Sequence, residues 1–234
     1  MKIALLGYGK MGKVIERIAE ARGHEIVLKK ERDSGFTGLE QADVAIDFSI
    51  PDAAFENISR CFDLGIPVIS GTTGWLSQLD EAKKRCLEKQ SAFIYSSNFS
   101  LGVNIFFELN SYLAKIMAQF NQYEVGITEI HHTQKLDAPS GTAITLAQSI
   151  IANSSLDKWV LNESSTTNEL VIKAERTADV PGTHIIHYKS VVDSIEIKHE
   201  AHNREGFALG AVVAAEWIKG KIGIFEMKNV LNLK

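Results

Sequence analysis

Over its first 95 residues the chain alternates between short aliphatic or β-branched runs and stretches whose apolar residues recur at helical spacing. This rhythm predicts repeated strand–helix–strand units on a parallel sheet. Strands are expected over 2–6, 25–29, 44–48, 67–70 and 92–95, and helices over 11–22, 52–64 and 76–88, with Pro51-Asp52 and Gly65-Ile66-Pro67 as start and stop signals. Beyond Asn98 the rhythm changes. A helical segment over 104–120 leads to a strand over 123–131 and a helix over 140–152. Three strand-like runs follow in succession at 169–175, 183–189 and 194–199, joined by turns with Pro181-Gly182 and Val192-Asp193. An apolar helix over 207–217 and a short Gly-containing tail close the chain, and that helix is expected to fold back onto the first half. The predicted fold class is α/β: a doubly wound parallel sheet formed by 1–99 with 207–234, and a mixed α+β domain with an open sheet over 100–206. The polar run 162–168 reads as a loop.

Composition narrows the functional classes. With 234 residues, 45% hydrophobic and 23% charged, the chain suits one large or two modest globular domains. Twenty-five Lys and Arg against 29 Asp and Glu leave a net charge of -4, so no overall field favours duplex nucleic acid or an anionic membrane. Neither is expected as a partner, and any bound anion must meet local donors. Cys61 and Cys86 lack close Cys or His neighbours and read as buried spectators in a reducing compartment. The apolar start Ile3-Ala4-Leu5-Leu6 is shorter than a secretory core of about seven to fifteen residues, and the long uncharged stretches carry Ser, Thr, Asn and Gly. A cytoplasmic location is expected.

The first chemical signal is Gly7-Tyr8-Gly9-Lys10-Met11-Gly12, placed directly after the first strand and opening the first helix. Gly7 permits the tight turn, Gly9 lets a pyrophosphate approach the backbone, and Gly12 lets the helix pack near the strand. Glu31, 19 residues beyond Gly12, can accept from a ribose hydroxyl, while Arg32 beside it can pair with a 2'-phosphate. Either NADH or NADPH, or both, is therefore expected as cofactor on a Rossmann-type sheet. Lys29 and Lys30 read equally as a solvated charged turn. Gly71-Thr72-Thr73-Gly74 and Ser96-Ser97-Asn98-Phe99 follow the fourth and fifth strands, where ligands of parallel sheets sit, though each is also compatible with a plain turn.

The second signal is the run Glu129-Ile130-His131-His132-Thr133-Gln134-Lys135-Leu136-Asp137-Ala138-Pro139-Ser140-Gly141-Thr142-Ala143. Ser140 can cap the following helix, leaving the amides of Gly141 and Thr142 at its positive end for a carboxylate. Lys135 can place an ammonium near the same anion or donate a proton. His131 and His132 cannot share a face of one flat strand, so at least one must lie in a bend if both act. No spacing of three or four ligand residues suggests a metal, and none is expected.

With these motifs the chain resembles the dihydrodipicolinate reductase family, over its whole length: GYGKMG, GTTG at 71–74, SSNFSLGVN from Ser96, EIHHTQKLDAPSGTA from Glu129 and NREGFALGA from Asn203. The resemblance implies an NAD(P)H-dependent reductase of the diaminopimelate route to lysine, acting on a cyclic imine dicarboxylate. It implies that Gly7, Tyr8, Gly9, Lys10, Met11 and Gly12, with Glu31 and Arg32, hold the adenosine half of the cofactor. Gly71, Thr72, Thr73, Ser96, Ser97, Asn98 and Phe99 would flank the nicotinamide, with Arg204 and Phe207 near the cofactor. His131 and Lys135 would be catalytic, and His132, Ser140, Gly141 and Thr142 would hold substrate carboxylates. It further implies a homotetramer assembled through the second domain's sheet, and closure at hinges near 99–102 and 203–206. Ser96 and Ser97 replace the family's usual Ala, and Lys29-Lys30 is also unusual; these departures bear on cofactor preference. Two other readings remain, an NAD(P)-sensing regulatory module and another amino-acid dehydrogenase of the same architecture.

Overall fold

The computed structural model describes residues 1–164, 166–203 and 205–233. They form two compact units, Met1–Asn104 with Glu205–Lys234, and Ile105–Arg204. Among the described residues no helix is long and apolar enough to cross a membrane.

The first unit carries a six-stranded sheet. Its strands are β1 (Lys2–Leu6), β2 (Glu25–Lys30), β3 (Val44–Asp47), β4 (Val68–Ser70), β5 (Ala92–Tyr95) and β11 (Gly223–Phe225), in the order β11-β5-β4-β3-β1-β2. Every pairing is parallel. A parallel sheet is covered on both faces, so its strands are apolar throughout rather than alternating. The period of two then divides them. Ile3, Leu5, Val44, Ile46, Ile69 and Ile94 face one core, shared with α1 (Lys10–Ala21) and α6 (Glu205–Ile218). Ala4, Leu6, Ala45, Val68 and Phe93 face another, shared with α2 (Pro51–Asp63) and α3 (Leu79–Glu88). The apolar helix near the C-terminus does return: α6 packs on α1, β3 and β4. Small residues let it lie close, and a Cβ on Gly210 would stand 1.7 Å from the Phe99 carbonyl oxygen.

The second unit holds an open five-stranded sheet of β6 (Glu124–His131), β7 (Lys158–Leu161), β8 (Glu169–Arg176), β9 (Gly182–Lys189) and β10 (Ser194–Ala201), in the order β10-β9-β6-β8-β7. β6 pairs antiparallel with β9 and parallel with β8, which makes the sheet mixed. One face packs against α5 (Gly141–Ile151) and residues of α4 (Leu101–Met117). Ile127, Leu170, Ile172 and Ile186 meet Phe106, Ala143, Leu146 and Ile150 there.

Two expectations need correction. The helix expected over 76–88 is interrupted: a 3-10 turn over Leu76–Gln78 precedes α3. The stretch after Ile218, expected to be a tail, instead supplies β11 on the edge of the first sheet and the short helix α7 (Met227–Val230).

Candidate active site

The β1–α1 turn is built for an anion. Gly7 has φ +102, and a Cβ there would come within 2.2 Å of the Phe48 carbonyl oxygen, so only glycine fits the turn. Gly12 packs its Cα against the Gly7 carbonyl, where a Cβ would stand at 2.5 Å. Gly9 differs: nothing lies within 4 Å of where its Cβ would project, so the space above the turn is open. Of the amides between Gly7 and Gly12, the first two are taken by the neighbouring strand. The Gly7 and Tyr8 amides both donate to the Lys30 carbonyl at 3.0 Å. The remaining donors are those at the start of α1, capped at Gly9 by backbone alone and with no acidic residue in its first turn. Helix geometry leaves the first amides without intrahelical acceptors.

A cavity of about 330 Å³ adjoins this turn, lined by Gly7, Tyr8, Gly9, Lys30, Glu31, Arg32, Phe48, Ser49, Ile50, Ala53 and Asn57. A second, of about 280 Å³, is lined by Met11, Phe48, Ser49, Pro51, Gly71, Thr72 and Thr73. Glu31 and Arg32 thus lie on the same cavity as the glycine turn, and Gly71, Thr72 and Thr73 on the other. The open seat at Gly9, the free helix start and an acid and an arginine at the end of β2 fit a dinucleotide.

The surrounding side chains refine the picture. Lys29 is drawn to Glu16, which also accepts from the Tyr8 hydroxyl, while Lys30 is buried with its ammonium 4.9 Å from the Phe36 ring centroid. The Ser96 hydroxyl donates to the Asn98 carbonyl at 2.7 Å, closing a local turn. The Phe99 ring is only 1% exposed and lies 5.8 Å from that of Phe48, so it belongs to the core. Lys10, at the start of α1, and Ser97 are exposed, and Phe207 is partly buried. Arg204 lies outside the described residues.

Two loop-lining residues depend on an acid that sequence reasoning missed. Asp47, fully buried at the end of β3, accepts from Ser49 Oγ (2.7 Å), Thr72 Oγ1 (2.7 Å), Ser70 Oγ (2.8 Å) and Asn57 Nδ2 (3.1 Å). Burial raises its carboxyl above the ordinary value, against the lowering effect of these four donors. Thr72 therefore spends its hydroxyl on Asp47 and acts on the cavity through its position.

The reactive segment lies in the second unit, and strand register explains its geometry. Side chains of β6 alternate, so Glu129 and His131 share the helix-covered face with Ile127. On that face the pairing sets Glu129 opposite His184 of β9 and His131 opposite Arg176 of β8. The four groups converge. Glu129 has no exposure; Oε1 lies 3.2 Å from Arg176 Nη2, and Oε2 lies 3.5 Å from His131 Nδ1 and 3.8 Å from His184 Nε2. The His131 and His184 rings meet edge-on at 5.0 Å. Burial holds the His131 imidazole below its ordinary value; Glu129 opposes this, while Lys135, Arg176 and His132 reinforce it. His184 is more enclosed, and burial with the neighbouring His131, His199 and Lys135 pushes it down to about 3, so it stays neutral at pH 7.

Glu129, His131 and His184 bring atoms of metal-binding type within 4.8 Å of one another, a trio that sequence spacing did not suggest. The cation that Glu129 faces here is the Arg176 guanidinium.

Ser140 caps α5, its hydroxyl accepting from the Ala143 amide at 3.1 Å and lying 3.0 Å from His184 Nε2. Its own amide donates to Glu129 Oε2 at 3.0 Å. The Gly141 and Thr142 amides, first and second in the helix, have no intrahelical acceptor, and nothing lies within 4 Å of where a Gly141 Cβ would project. Removing the cap by Ser140→Ala is expected to cost about 1 kcal/mol, read as a lower thermal midpoint.

Lys135 Nζ sits 2.7 Å from both oxygens of Asp137, whose carboxyl this contact holds below its ordinary value. An exposed carboxylate therefore already occupies the ammonium, in the manner a ligand carboxylate would. His132, one residue past β6, lines a cavity of about 300 Å³ with Thr133, Gln134, Ala178, Asp179, Val180, Pro181 and Asn203.

The family models for the N-terminus and the C-terminus of dihydrodipicolinate reductase match residues 1–99 and 102–231. A 4-hydroxy-tetrahydrodipicolinate reductase of Christiangramia forsetii is 57% identical over 99% of this chain and 98% of its own. One from Methanosarcina barkeri is 36% identical over 97% and 83%. The fold is similar to that of a dipicolinate-bound dihydrodipicolinate reductase from Paenisporosarcina sp. TG-14, with a TM-score of 0.76 at 22% identity and 97% of each chain covered.

Proposed function

The chain belongs to the dihydrodipicolinate reductase family, and from that membership we propose how its residues divide the work. Its activity is the NAD(P)H-dependent reduction of 4-hydroxy-tetrahydrodipicolinate, through dihydrodipicolinate, to tetrahydrodipicolinate, in lysine and diaminopimelate biosynthesis. Residues 1–99 with 207–234 bind the cofactor, and 100–206 bind the substrate and build a homotetramer through the open sheet. The enzyme works in the cytoplasm. The cofactor supplies the hydride. The α1 start and Gly9 hold its pyrophosphate, Glu31 and Arg32 its adenosine ribose, and the loops at 71–73 and 96–99 position the nicotinamide half, with Arg204 and Phe207 beside the cofactor.

The substrate is a ring bearing two carboxylates, and the second unit offers two places for them. One carboxylate takes the Gly141 and Thr142 amides, where the helix start stabilises negative charge. Lys135 closes over it, exchanging Asp137 for the ligand. The other lies by His132. Once water has left the 4-hydroxy precursor, the conjugated ring accepts a hydride at carbon, and the electron pair this releases must be met by a proton. Lys135 donates that proton, and His131 moves a proton at its imidazole within the buried cluster beside it. Holding the ring at both ends keeps the reacting carbon in place.

The observation that carries this reading is the Ser140-capped helix start, whose first two amides have no acceptor within the helix, just after the Lys135 loop. The test is loss of reduced-cofactor absorbance when the substrate is generated in place from pyruvate and aspartate semialdehyde. Turnover with NADH or NADPH is expected. Cofactor binding without turnover would favour a sensing module, and turnover only with aspartate or homoserine would favour another amino-acid dehydrogenase.

A further inference from the structure

Glu129 is a carboxylate with no access to water, yet it is the meeting point of every element that carries the second unit's chemistry. Oε2 accepts the amide of Ser140, which begins the helix with the Gly141 and Thr142 donors. The same oxygen faces His131 Nδ1, an atom that is buried and makes no hydrogen bond. Oε1 faces Arg176, whose guanidinium reaches on to the loop of the candidate proton donor: Nη2 donates to the Asp137 carbonyl at 2.7 Å and Nε to the Lys135 carbonyl at 3.4 Å. Glu129 is fully buried and the Arg176 side chain 21% exposed, and an ion pair drawn out of water in this way yields little net stability once its charges have lost their hydration. Orientation is the stronger reason for keeping one here.

We infer that Glu129 and Arg176 act as a pair of positioning residues, which lock the end of β6, the start of α5 and the Lys135 loop into one frame and set the charge state of His131. The inference rests on the reading of His131 and Lys135 as the proton-handling groups. The groups facing His131 are Glu129 on its own strand, His132 and Lys135 just past that strand, Arg176 from β8 and His184 from β9. Glu129 is the one carboxylate that favours the imidazolium, and Arg176 is one of the cations that disfavour it. The two ends of the pair therefore pull on His131 in opposite directions.

The test follows the ring carbon signals of His131 through a pH titration of histidine-labelled protein, assigned with His131→Asn, beside the pH profile of kcat. Glu129→Gln removes the charge but keeps an oxygen for the Ser140 amide. It is expected to lower the His131 midpoint by about one pH unit or more, the usual effect of losing an opposite charge at this range. Arg176→Gln is expected to raise it by a similar amount. The limb of the kcat profile that His131 sets should move with each. If folded variants leave the midpoint in place, or both move it towards the value of an exposed histidine, the inference is wrong, because simple loosening of the site exposes His131 in either case. If the midpoints diverge but the kcat profile stays fixed, the positioning pair stands and the role of His131 in turnover falls. Should Glu129→Gln not fold, Arg176→Lys decides: it keeps the positive charge, so the His131 midpoint should stay low, and a rise towards the value of an exposed histidine would overturn the inference.

Discussion

Lys135→Ala is expected to reduce kcat by roughly a hundredfold to ten-thousandfold, the range typical of a lost general acid, while leaving cofactor affinity unchanged. The ammonium is lost from a loop of the second unit, whereas the glycine turn and the cavities beside it belong to the first. Lys135→Arg should recover part of the substrate KM and little of kcat, since a guanidinium pairs with a carboxylate but does not release a proton. Asp137 separates the two roles further. Asp137→Asn frees the ammonium from its bidentate partner, so it should change KM more than kcat. Steady-state kinetics with fluorescence titration of the reduced cofactor measure all three. A Lys135→Ala enzyme that kept its kcat would remove this lysine from the chemistry.

Gly7→Ala and Gly9→Ala are expected to fail in different ways, although the two glycines stand one residue apart. At Gly7 a side chain meets both a left-handed backbone and the Phe48 carbonyl at 2.2 Å. The conformation alone costs about 1–2 kcal/mol, and the collision displaces the end of β3, so the thermal midpoint should fall by several degrees. At Gly9 the backbone lies at φ -88 and the new methyl group enters open space. Stability should be unchanged, but that space is where a pyrophosphate would sit, so cofactor affinity should fall by about tenfold or more. Thermal melts and cofactor titrations on the two variants distinguish a packing glycine from a ligand glycine. Equal melts with equal affinities would mean that the turn does not hold the cofactor.

The parallel sheet was legible because burial on both faces writes continuous apolar runs into β1, β3, β4 and β5. Ser140 was legible as a cap because capping is local chemistry, complete within four residues. Short edge strands left weaker traces. Lys158–Leu161 and Gly223–Phe225 have four and three residues, too few for a period to emerge. The polar cluster of the second unit left none, because Glu129, Arg176 and His184 meet only through the register of β6 with β8 and β9. Nothing near His184 in the chain hints that it faces Glu129. The pairing of Gly7 and Tyr8 with the Lys30 carbonyl was hidden for the same reason, being a consequence of how β1 lies beside β2. Local motifs could therefore be read residue by residue, whereas the network that orients them is a property of the sheet.

The most direct test of the carboxylate seat is a titration of isotope-labelled enzyme with dipicolinate, following backbone amide resonances. The Gly141 and Thr142 amide protons should move downfield more than any others in α5, with Lys135 Nζ responding at the same midpoint. Dipicolinate binding that left these two amides unmoved while shifting residues elsewhere would contradict the site described here.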